Sequence, residues 1–327
     1  MALLLGCRLT SSEPETPESV VSPSGTVVVS IATPVARPAT PTLAPVLPSP
    51  TTAPTALNSP TPIPTPTAIP TLTSTPIPWM ERTVIGYSVQ GRPIEVVRLG
   101  VGERWFVALA AIHGGQECNT NGVAEGIVSP LTAEPVLLPE DVTLYVVPLV
   151  NVDGCALNSR YNANGVDLNR NWATNDWTAD AEGPGGVIAG SGGAFPFSEP
   201  ETAALQGWLL TLRQQSPGGD LRIVSYHSVV PETGLAQPAY SVYGQPEPRS
   251  EVMAQTYAEV TGYLYSAVWV GTYTITGEMI HWAGENGFIA MDVELPDQNS
   301  ADSVPNGRTE THIETNLRGL LAIMEQE

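Results

Sequence analysis

Residues 104–118 read RWFVALAAIHGGQEC, and this stretch joins a strand pattern to a group of polar side chains. The apolar run RWFVALAAI has the length of a strand and is typical of one buried on both faces of a sheet. His113 follows the run, and Gln116 and Glu117 come after two glycines. A metal site, a plain glycine turn and the oxyanion loop of a serine hydrolase all fit these letters. The three interpretations stay open at this point.

Other apolar runs repeat the pattern of a strand that ends in a functional side chain. LRIVSYH ends at His227, GFIAMDVEL contains Glu294 near its end, and VTLYVVPLV is a further buried-type strand. Residues 120–131 and 313–324 have helical spacing between and after these runs. Strands that alternate with helices predict an α/β fold with a mixed, mostly parallel twisted sheet flanked by helices. In such sheets functional residues collect where strands end, so His113, His227 and Glu294 are expected to converge.

Three local patterns add detail to this fold. Residues 82–100 alternate around Gln90-Gly91 and predict an opening hairpin. Residues 151–196 are rich in Asn, Gly and Asp, and a loop of this length inside a domain is usually functional. Ser198 followed by Glu201 predicts a capping box at the start of the next helix.

The N-terminal part of the chain differs in composition from the rest. Residues 9–78 consist largely of Pro, Thr, Ser, Ala and Val, and such a segment lacks the side chains to fill a core. We interpret it as a disordered Pro/Thr-rich stalk. Residues 79–327 are long enough for one well-packed α/β domain.

Residues 1–8, MALLLGCR, resemble the end of a bacterial lipoprotein signal, in which the cysteine becomes lipidated. The basic region and apolar stretch of a full signal peptide are short or missing here. With the stalk behind it, this segment predicts a protein that is extracytoplasmic, either secreted or anchored at the bacterial cell surface through lipidated Cys7. Cys118 and Cys155 then remain, and a disulfide and two separate buried thiols fit their spacing equally well.

Charge restricts the class of partner. The formal net charge is −20, and all 13 basic residues are arginine. Binding to nucleic acid depends on neutralising phosphates, so this balance argues against a nucleic-acid partner. We expect a monomer without a nucleic-acid partner.

Two histidines and one carboxylate supply a candidate metal site. His113, Glu117 and His227 would provide two nitrogens and one carboxylate, which is the ligand set of many catalytic zinc sites. We therefore predict one zinc ion as the cofactor. His281 and His312 have no such pattern around them and are predicted to be structural or exposed.

The stretch NSRYNANGVDLNRNW, residues 158–172, carries the most specific signal. It resembles the zinc carboxypeptidase family, which includes carboxypeptidase A-like enzymes and bacterial relatives that act on murein peptides. PFSEPET, SYHS and DVELP follow in the order of that family, so the resemblance covers about residues 84–324. It implies that Asn169 and Arg170 bind the terminal carboxylate of the substrate. Arg160 would stabilise the oxyanion, and Asp167 would orient His113.

The resemblance also implies the reaction. A zinc metallocarboxypeptidase hydrolyses the amide bond next to a free C-terminal carboxylate, with zinc-activated water and Glu294 as the general base. Tyr273 would close over the bound substrate. Glu278 and Ile280 lie in the segment that lines the specificity pocket of the family. An acidic wall there would favour a basic or amine-bearing terminal residue, such as Lys, Arg or diaminopimelate. Cell-wall peptides and scavenged peptides both fit this expectation.

One departure from the family concerns the carboxylate ligand. The family spacing is His-x-x-Glu, which would place Gln116 at the ligand position. One extra residue moves the carboxylate to Glu117. Gly114 and Gly115 make this tolerable, because glycine can adopt the positive φ that a bulged turn requires. We therefore predict Glu117 as the ligand.

Other functional classes fit less well. A serine hydrolase needs a Gly-x-Ser-x-Gly turn, and the nearest sequence, AGSGG, has Ala189 at the first position. An aspartoacylase-type amidohydrolase, which acts on N-acyl amino acids, would share the zinc ligands but not the NRNW block. A stalked binding domain without catalysis would not need Glu294 and Arg160.

Overall fold

The computed structural model describes residues 79–242 and 244–326, so the predictions for the signal segment, Cys7 and the stalk lie outside the described residues. The strands are β1 (Met80–Tyr87), β2 (Pro93–Gly100), β3 (Arg104–Ala110), β4 (Val142–Val147), β5 (Ala181–Gly183), β6 (Gly186–Ile188), β7 (Leu221–Ser228), β8 (Leu235–Pro238), β9 (Tyr240–Val242), β10 (Gln245–Pro246), β11 (Leu264–Tyr265) and β12 (Ile289–Leu295). The helices are α1 (Asn119–Ala133), α2 (Val152–Leu157), α3 (Pro200–Gln215), α4 (Pro248–Thr261), α5 (Met279–Glu285) and α6 (His312–Met324).

The main sheet has eight strands in the order β1-β2-β4-β3-β7-β12-β8-β11. Its central strands β4, β3, β7 and β12 are parallel to one another. The strand β2 runs antiparallel to β4, and β8 runs antiparallel to β12. This arrangement confirms the predicted mixed sheet with a parallel centre.

Helices cover both faces of this sheet. Helices α1, α4 and α6 contribute to one hydrophobic cluster, and α3 and α5 contribute to a second. Alternate residues of β3 enter different clusters, with Phe106 and Ala108 in the first and Val107 and Leu109 in the second. Side chains of a strand point to opposite faces in turn, so a strand covered on both sides must be apolar throughout.

The parallel centre also brings the functional strand ends together. Strands β3, β7 and β12 are neighbours, so their carboxyl ends lie at one edge of the sheet. In the pairing of β7 with β12, Glu294 lies opposite His227 and Asp292 lies opposite Ser225. The predicted convergence of His113, His227 and Glu294 follows from this register.

The opening hairpin is confirmed, with β1 and β2 antiparallel and Gly91 at φ 75° in the turn. The predicted capping box is wrong. Helix α3 begins at Pro200, and its N-cap is Glu199, without a side-chain cap. Proline fixes a helical φ at the first position, so the helix starts one residue later than predicted. The Glu201 carboxylate instead accepts a hydrogen bond from the Val89 backbone N–H.

Residues 151–196 contain more regular structure than the composition suggests. They include the short helix α2, capped by Asn151, whose side chain accepts a hydrogen bond from the Gly154 N–H. They also include the small antiparallel pair β5 and β6. Short elements of this kind hold the polar segment in place beside the sheet edge.

Because β3 is buried on both faces, we can predict how substitutions there affect stability. Leu109 is fully buried, whereas Leu157 at the end of α2 is 52% exposed. Leu109→Ala should lower the free energy of unfolding by about 2–5 kcal/mol, because it leaves a cavity between sheet and helices. Leu157→Ala should change it by less than about 0.5 kcal/mol. Denaturant unfolding of both variants measures the difference, and equal losses would contradict this assignment of the core.

Candidate metal centre and active-site pocket

Three buried side chains present metal-binding atoms to one point. His113 follows β3, Glu117 lies in a single 3-10 turn over Gly115–Cys118, and His227 lies on β7. The Oε2 atom of Glu117 is 2.9 Å from Nδ1 of His113 and 3.5 Å from Nδ1 of His227. The two Nδ1 atoms are 3.4 Å apart. All three ligand atoms lie within 4.8 Å of one another, which is close enough for them to share one metal ion.

The conformation of the glycine turn determines that Glu117, and not Gln116, faces the two histidines. Glu117 is 9% exposed and faces the two histidines, whereas Gln116 is exposed. Gly115 has φ 66°, the left-handed conformation that glycine adopts without strain. A Cβ atom on Gly114 would overlap the carbonyl oxygen of Ser159. The two glycines thus accommodate the extra residue of this turn.

Each histidine turns its other ring nitrogen toward a carboxylate. Nε2 of His113 is 3.1 Å from Oδ1 of Asp167, and Nε2 of His227 is 3.3 Å from Oδ1 of Asp292. A carboxylate at this position fixes the ring orientation and keeps the opposite nitrogen free to bind a metal. Asp292 was not predicted from the sequence as a residue of this site. Strand alternation could have revealed it, because Asp292 and Glu294 lie on the same face of β12.

Arg160 lies against the metal-site carboxylates. Its Nη1 donates to Oε1 of Glu117 at 2.6 Å, and its Nε donates to Oδ2 of Asp167 at 2.9 Å. Burial alone would lower the pKa of Arg160, but the two carboxylates raise it above its ordinary value. Burial opposes ionisation of Glu117 and Asp167 as well, yet the neighbouring His113 ring and Arg160 guanidinium hold the pKa of both carboxyls well below the ordinary range. Both are therefore carboxylates at neutral pH.

The metal-binding side chains open onto a cavity of about 960 Å³. The side chains predicted to bind and act on substrate share this cavity with them. Its walls include His113, Glu117, Arg160, Asn169, Arg170, His227, Tyr273, Glu278 and Glu294.

Glu294, the residue predicted to accept a proton, lies on the wall of the cavity. Its Oε2 has no hydrogen-bond partner among the described residues. Burial raises the pKa of Glu294 to about 8, while the His227 ring opposes the shift and the Glu117 carboxylate adds to it. A carboxyl group that titrates near neutral pH can both accept and return a proton.

Arg170 is a buried cation without a carboxylate partner. It is 2% exposed, and its Nε and Nη1 donate to the backbone oxygens of Glu182 and Asn169. Within residues 79–242 and 244–326, no carboxylate forms an ion pair with its guanidinium, although it lines the cavity. A guanidinium in this state suits a planar, two-point contact with a carboxylate from outside the protein. Asn169 is held beside it, because its Oδ1 accepts from the Met279 N–H at 3.0 Å.

Tyr273 and Glu278 also line the cavity. The Tyr273 ring is half-buried, with its centroid 6.0 Å from Cζ of Arg170. Glu278 is 2% exposed. The expectation that Ile280 lines the pocket is wrong: helix α5 begins at Met279, and its rotation directs Ile280 into the hydrophobic core.

The remaining histidines are structural. His281 is buried, its ring is stacked on Tyr240 with centroids 4.3 Å apart, and burial lowers its pKa to about 4. His312 is buried at the start of α6, with Nε2 2.8 Å from Oδ1 of Asp297. Neither belongs to the group of possible metal ligands. This agrees with the prediction that both are structural.

The question left open for the two cysteines is resolved by the structure. Cys118 and Cys155 form a disulfide, with their Cα atoms 5.8 Å apart. Cys118 directly follows the metal-site residue Glu117, and Cys155 lies in α2.

The fold and the site together define a class of protein. The family model described as zinc carboxypeptidase matches residues 74–311, so the chain belongs to the zinc carboxypeptidase family. Murein peptide amidase A of Escherichia coli (strain K12) is 40% identical over 119 residues, which cover 33% of this chain and 48% of that protein. This chain therefore spans half or less of the curated relatives that it matches.

Solved structures share the same fold. Carboxypeptidase A from Helicoverpa armigera superposes with a TM-score of 0.59 at 16% identity, covering 75% of this chain and 66% of that one. The murein-tripeptide amidase of Escherichia coli O157 gives a TM-score of 0.51 at 22% identity, covering 75% of this chain and 92% of that one. In the part of the chain that the structure describes, no helix is long and apolar enough to cross a membrane.

The contact between Asp167 and His113 leads to a prediction about metal affinity. Asp167→Asn keeps the shape of the side chain but removes the charge that orients and polarises the ring. Zinc should bind about 10- to 100-fold more weakly, as is typical when such a carboxylate is lost. Titration against a chromophoric chelator measures the affinity. Asp220→Asn, at an exposed ion pair with Arg249, is the control and should leave zinc affinity unchanged.

Proposed function

We propose that the protein is a zinc metallocarboxypeptidase, which hydrolyses the amide bond next to a free C-terminal carboxylate of peptides. One observation carries the proposal. Among the described residues, Arg170 has no carboxylate partner and Oε2 of Glu294 has no hydrogen bond, and both residues line one cavity with the group of possible metal ligands. A carboxylate anchor, a proton acceptor and a metal centre in one cavity are what this reaction requires.

The donor set fits zinc. His113, Glu117 and His227 would hold one ion through two imidazole nitrogens and one carboxylate oxygen, with room left on the cavity side. When bound there, zinc supplies Lewis acidity that polarises a carbonyl group and lowers the pKa of water.

The other side chains act on substrate and proton. Arg170 and Asn169 bind the terminal carboxylate, which places the last amide bond beside the metal centre. Glu294 accepts a proton from the attacking water and returns it to the leaving amine. Tyr273, half-buried on the cavity wall beside Arg170, closes over the bound terminal residue.

Arg160 stabilises the negative charge that develops on the carbonyl oxygen. Its Nη2 is 2.8 Å from Nε2 of His113, the nitrogen that also faces Asp167. When Nδ1 of His113 binds a metal, the ring proton must be on Nε2, where Asp167 accepts it. Nη2 of Arg160 then has no acceptor at that nitrogen and can donate toward the cavity, while Nη1 and Nε keep their bonds to Glu117 and Asp167.

Glu278 suggests the class of substrate. Its Oε2 is buried, lacks a hydrogen bond within the described ranges and lies 3.2 Å from Nε2 of His281. Burial, together with the nearby Asp292 carboxylate, raises the pKa of Glu278 well above its ordinary value. An ammonium group of a substrate would reverse this shift and be held as an ion pair. We therefore propose a terminal residue that carries an amine, as in cell-wall peptides.

The location that we propose is extracytoplasmic, at the bacterial cell surface. The Cys118–Cys155 disulfide supports this proposal, because disulfides persist in oxidising compartments. The similarity to a murein peptide amidase also supports it, since cell-wall peptides occur there. Anchoring through lipidated Cys7, a monomeric state and the lack of a nucleic-acid partner remain predictions from the sequence.

Metal content and peptide hydrolysis test this function together. The purified protein should contain one zinc ion per chain and release single residues from the C-terminus of peptides. A chelator should abolish the release, and added zinc should restore it. Blocking the C-terminal carboxylate as an amide should prevent cleavage. Zinc without hydrolysis of any peptide would favour a binding domain instead.

The role of Glu294 is tested by Glu294→Gln. This variant should lower kcat by about 10²- to 10⁴-fold, the usual contribution of a positioned general base. Zinc content should be unchanged, because Glu294 is not one of the three possible ligands. Steady-state kinetics and metal analysis of the same sample measure the two effects. Full activity in this variant would show that another group moves the proton.

The role of Glu278 is tested with a matched pair of substrates. Peptides ending in lysine and in norleucine have similar stems, but only lysine carries the amine. Glu278→Gln should lower kcat/KM for the lysine peptide by about 100-fold, which corresponds to the loss of a buried ion pair. The value for the norleucine peptide should change little. An equal change for both peptides would remove Glu278 from substrate selection.

A further inference from the structure

We propose that the Cys118–Cys155 disulfide is a positioning element of the metal centre, which holds Glu117 at the distance needed for metal binding. The proposal rests on the metal site described above. Its basis is that the covalent link is attached to the residue directly after Glu117.

Apart from the disulfide, the turn that carries Glu117 is held by non-covalent contacts, among them the bonds that the Glu117 carboxylate accepts from Arg160 Nη1 and from the Ser228 N–H. Gly114 and Gly115 separate it from His113, and glycine loses more conformational freedom on folding than any other residue. On the helix side, Thr120 Oγ1 donates to the carbonyl oxygen of Glu117 at 2.7 Å. Gln116 is exposed and contributes no anchoring contact within the described ranges. The disulfide adds a covalent constraint to this turn, whose two glycines would otherwise favour alternative backbone conformations.

The other end of the disulfide is attached to a rigid support. Cys155 lies in α2, and Asn151 at the N-cap of that helix also donates from Nδ2 to the Arg160 carbonyl oxygen at 3.1 Å. The Gly114 N–H donates to the same oxygen at 3.0 Å. The disulfide thus joins the turn that carries Glu117 to the segment that carries Arg160, whose side chain contacts Glu117 directly. Loss of the disulfide should therefore allow Glu117 to move, whereas the strand ends that position His113 and His227 should keep their structure.

Both cysteines are half-buried, so a small reductant can reach them in the folded protein. Reduction adds two electrons and two protons and converts the disulfide to two thiols. The proposal predicts that zinc affinity then decreases while the sheet stays folded.

The test measures zinc affinity by competition with a chromophoric chelator for the wild type and for C118S/C155S. Circular dichroism selects a temperature at which both are folded. We expect the zinc dissociation constant to rise about tenfold or more without the disulfide, as for other elements that support metal ligands. A phosphine reductant, which does not compete for zinc, should cause the same rise in the wild type and none in C118S/C155S. If the double variant does not fold, the zinc affinities of the oxidised and the reduced wild type are compared instead.

A second pair of variants separates positioning from general loss of structure. Glu117→Gln is measured with and without the disulfide. If the disulfide acts through Glu117, its removal from the Glu117→Gln protein should change zinc affinity by less than about twofold.

Equal losses in both backgrounds, or no loss in either, would overturn the proposal. If Glu117→Gln leaves zinc affinity unchanged in the oxidised protein, the metal site itself is misassigned. That result would overturn the positioning role as well.

Discussion

One carboxylate oxygen, Oε2 of Glu117, faces the Nδ1 atoms of two histidines from different strands, and the rest of the site is arranged around this meeting point. The parallel register of β3, β7 and β12 brings His113 and His227 to the same edge of the sheet. The two glycines let Glu117 turn back toward them. Asp167 lies behind the His113 ring, and Ser225 Oγ and Asp292 lie behind the His227 ring, while both rings present Nδ1 to the same place.

This arrangement concentrates negative charge away from water. Glu117, Asp167 and Asp292 are all buried beside the pocket, and Glu278 and Glu294 contribute two more acidic groups. Burying carboxylates is costly unless positive charge compensates them. Arg160 neutralises part of this charge, and burial raises the pKa of Glu278 and of Glu294, so these two carboxyls resist ionisation. A divalent cation would complete the balance, which is the electrostatic reason why this site fits zinc.

Much of this site could be predicted from the sequence, because strand ends and residue order are one-dimensional signals. The apolar runs before His113, His227 and Glu294 predicted three strands whose ends meet, and the register confirms it. Details that depend on where an element begins could not be predicted. Pro200 shifts the start of α3 past Ser198, and the start of α5 at Met279 directs Ile280 into the core.

Contacts between segments that are distant in the sequence could not be predicted either. The pairing of Cys118 with Cys155 depends on the distance between a turn and a short helix, which spacing does not specify. The unpaired state of Arg170 in the cavity likewise depends on which carboxylates lie near it in space.

Anomalous diffraction at the zinc absorption edge, from crystals grown with zinc, tests the central claim most directly. The account predicts one strong peak bounded by Nδ1 of His113, Nδ1 of His227 and the Glu117 carboxylate, with Gln116 directed away. A peak bounded by Gln116 or by other side chains, or no peak beside the two histidines, would contradict it.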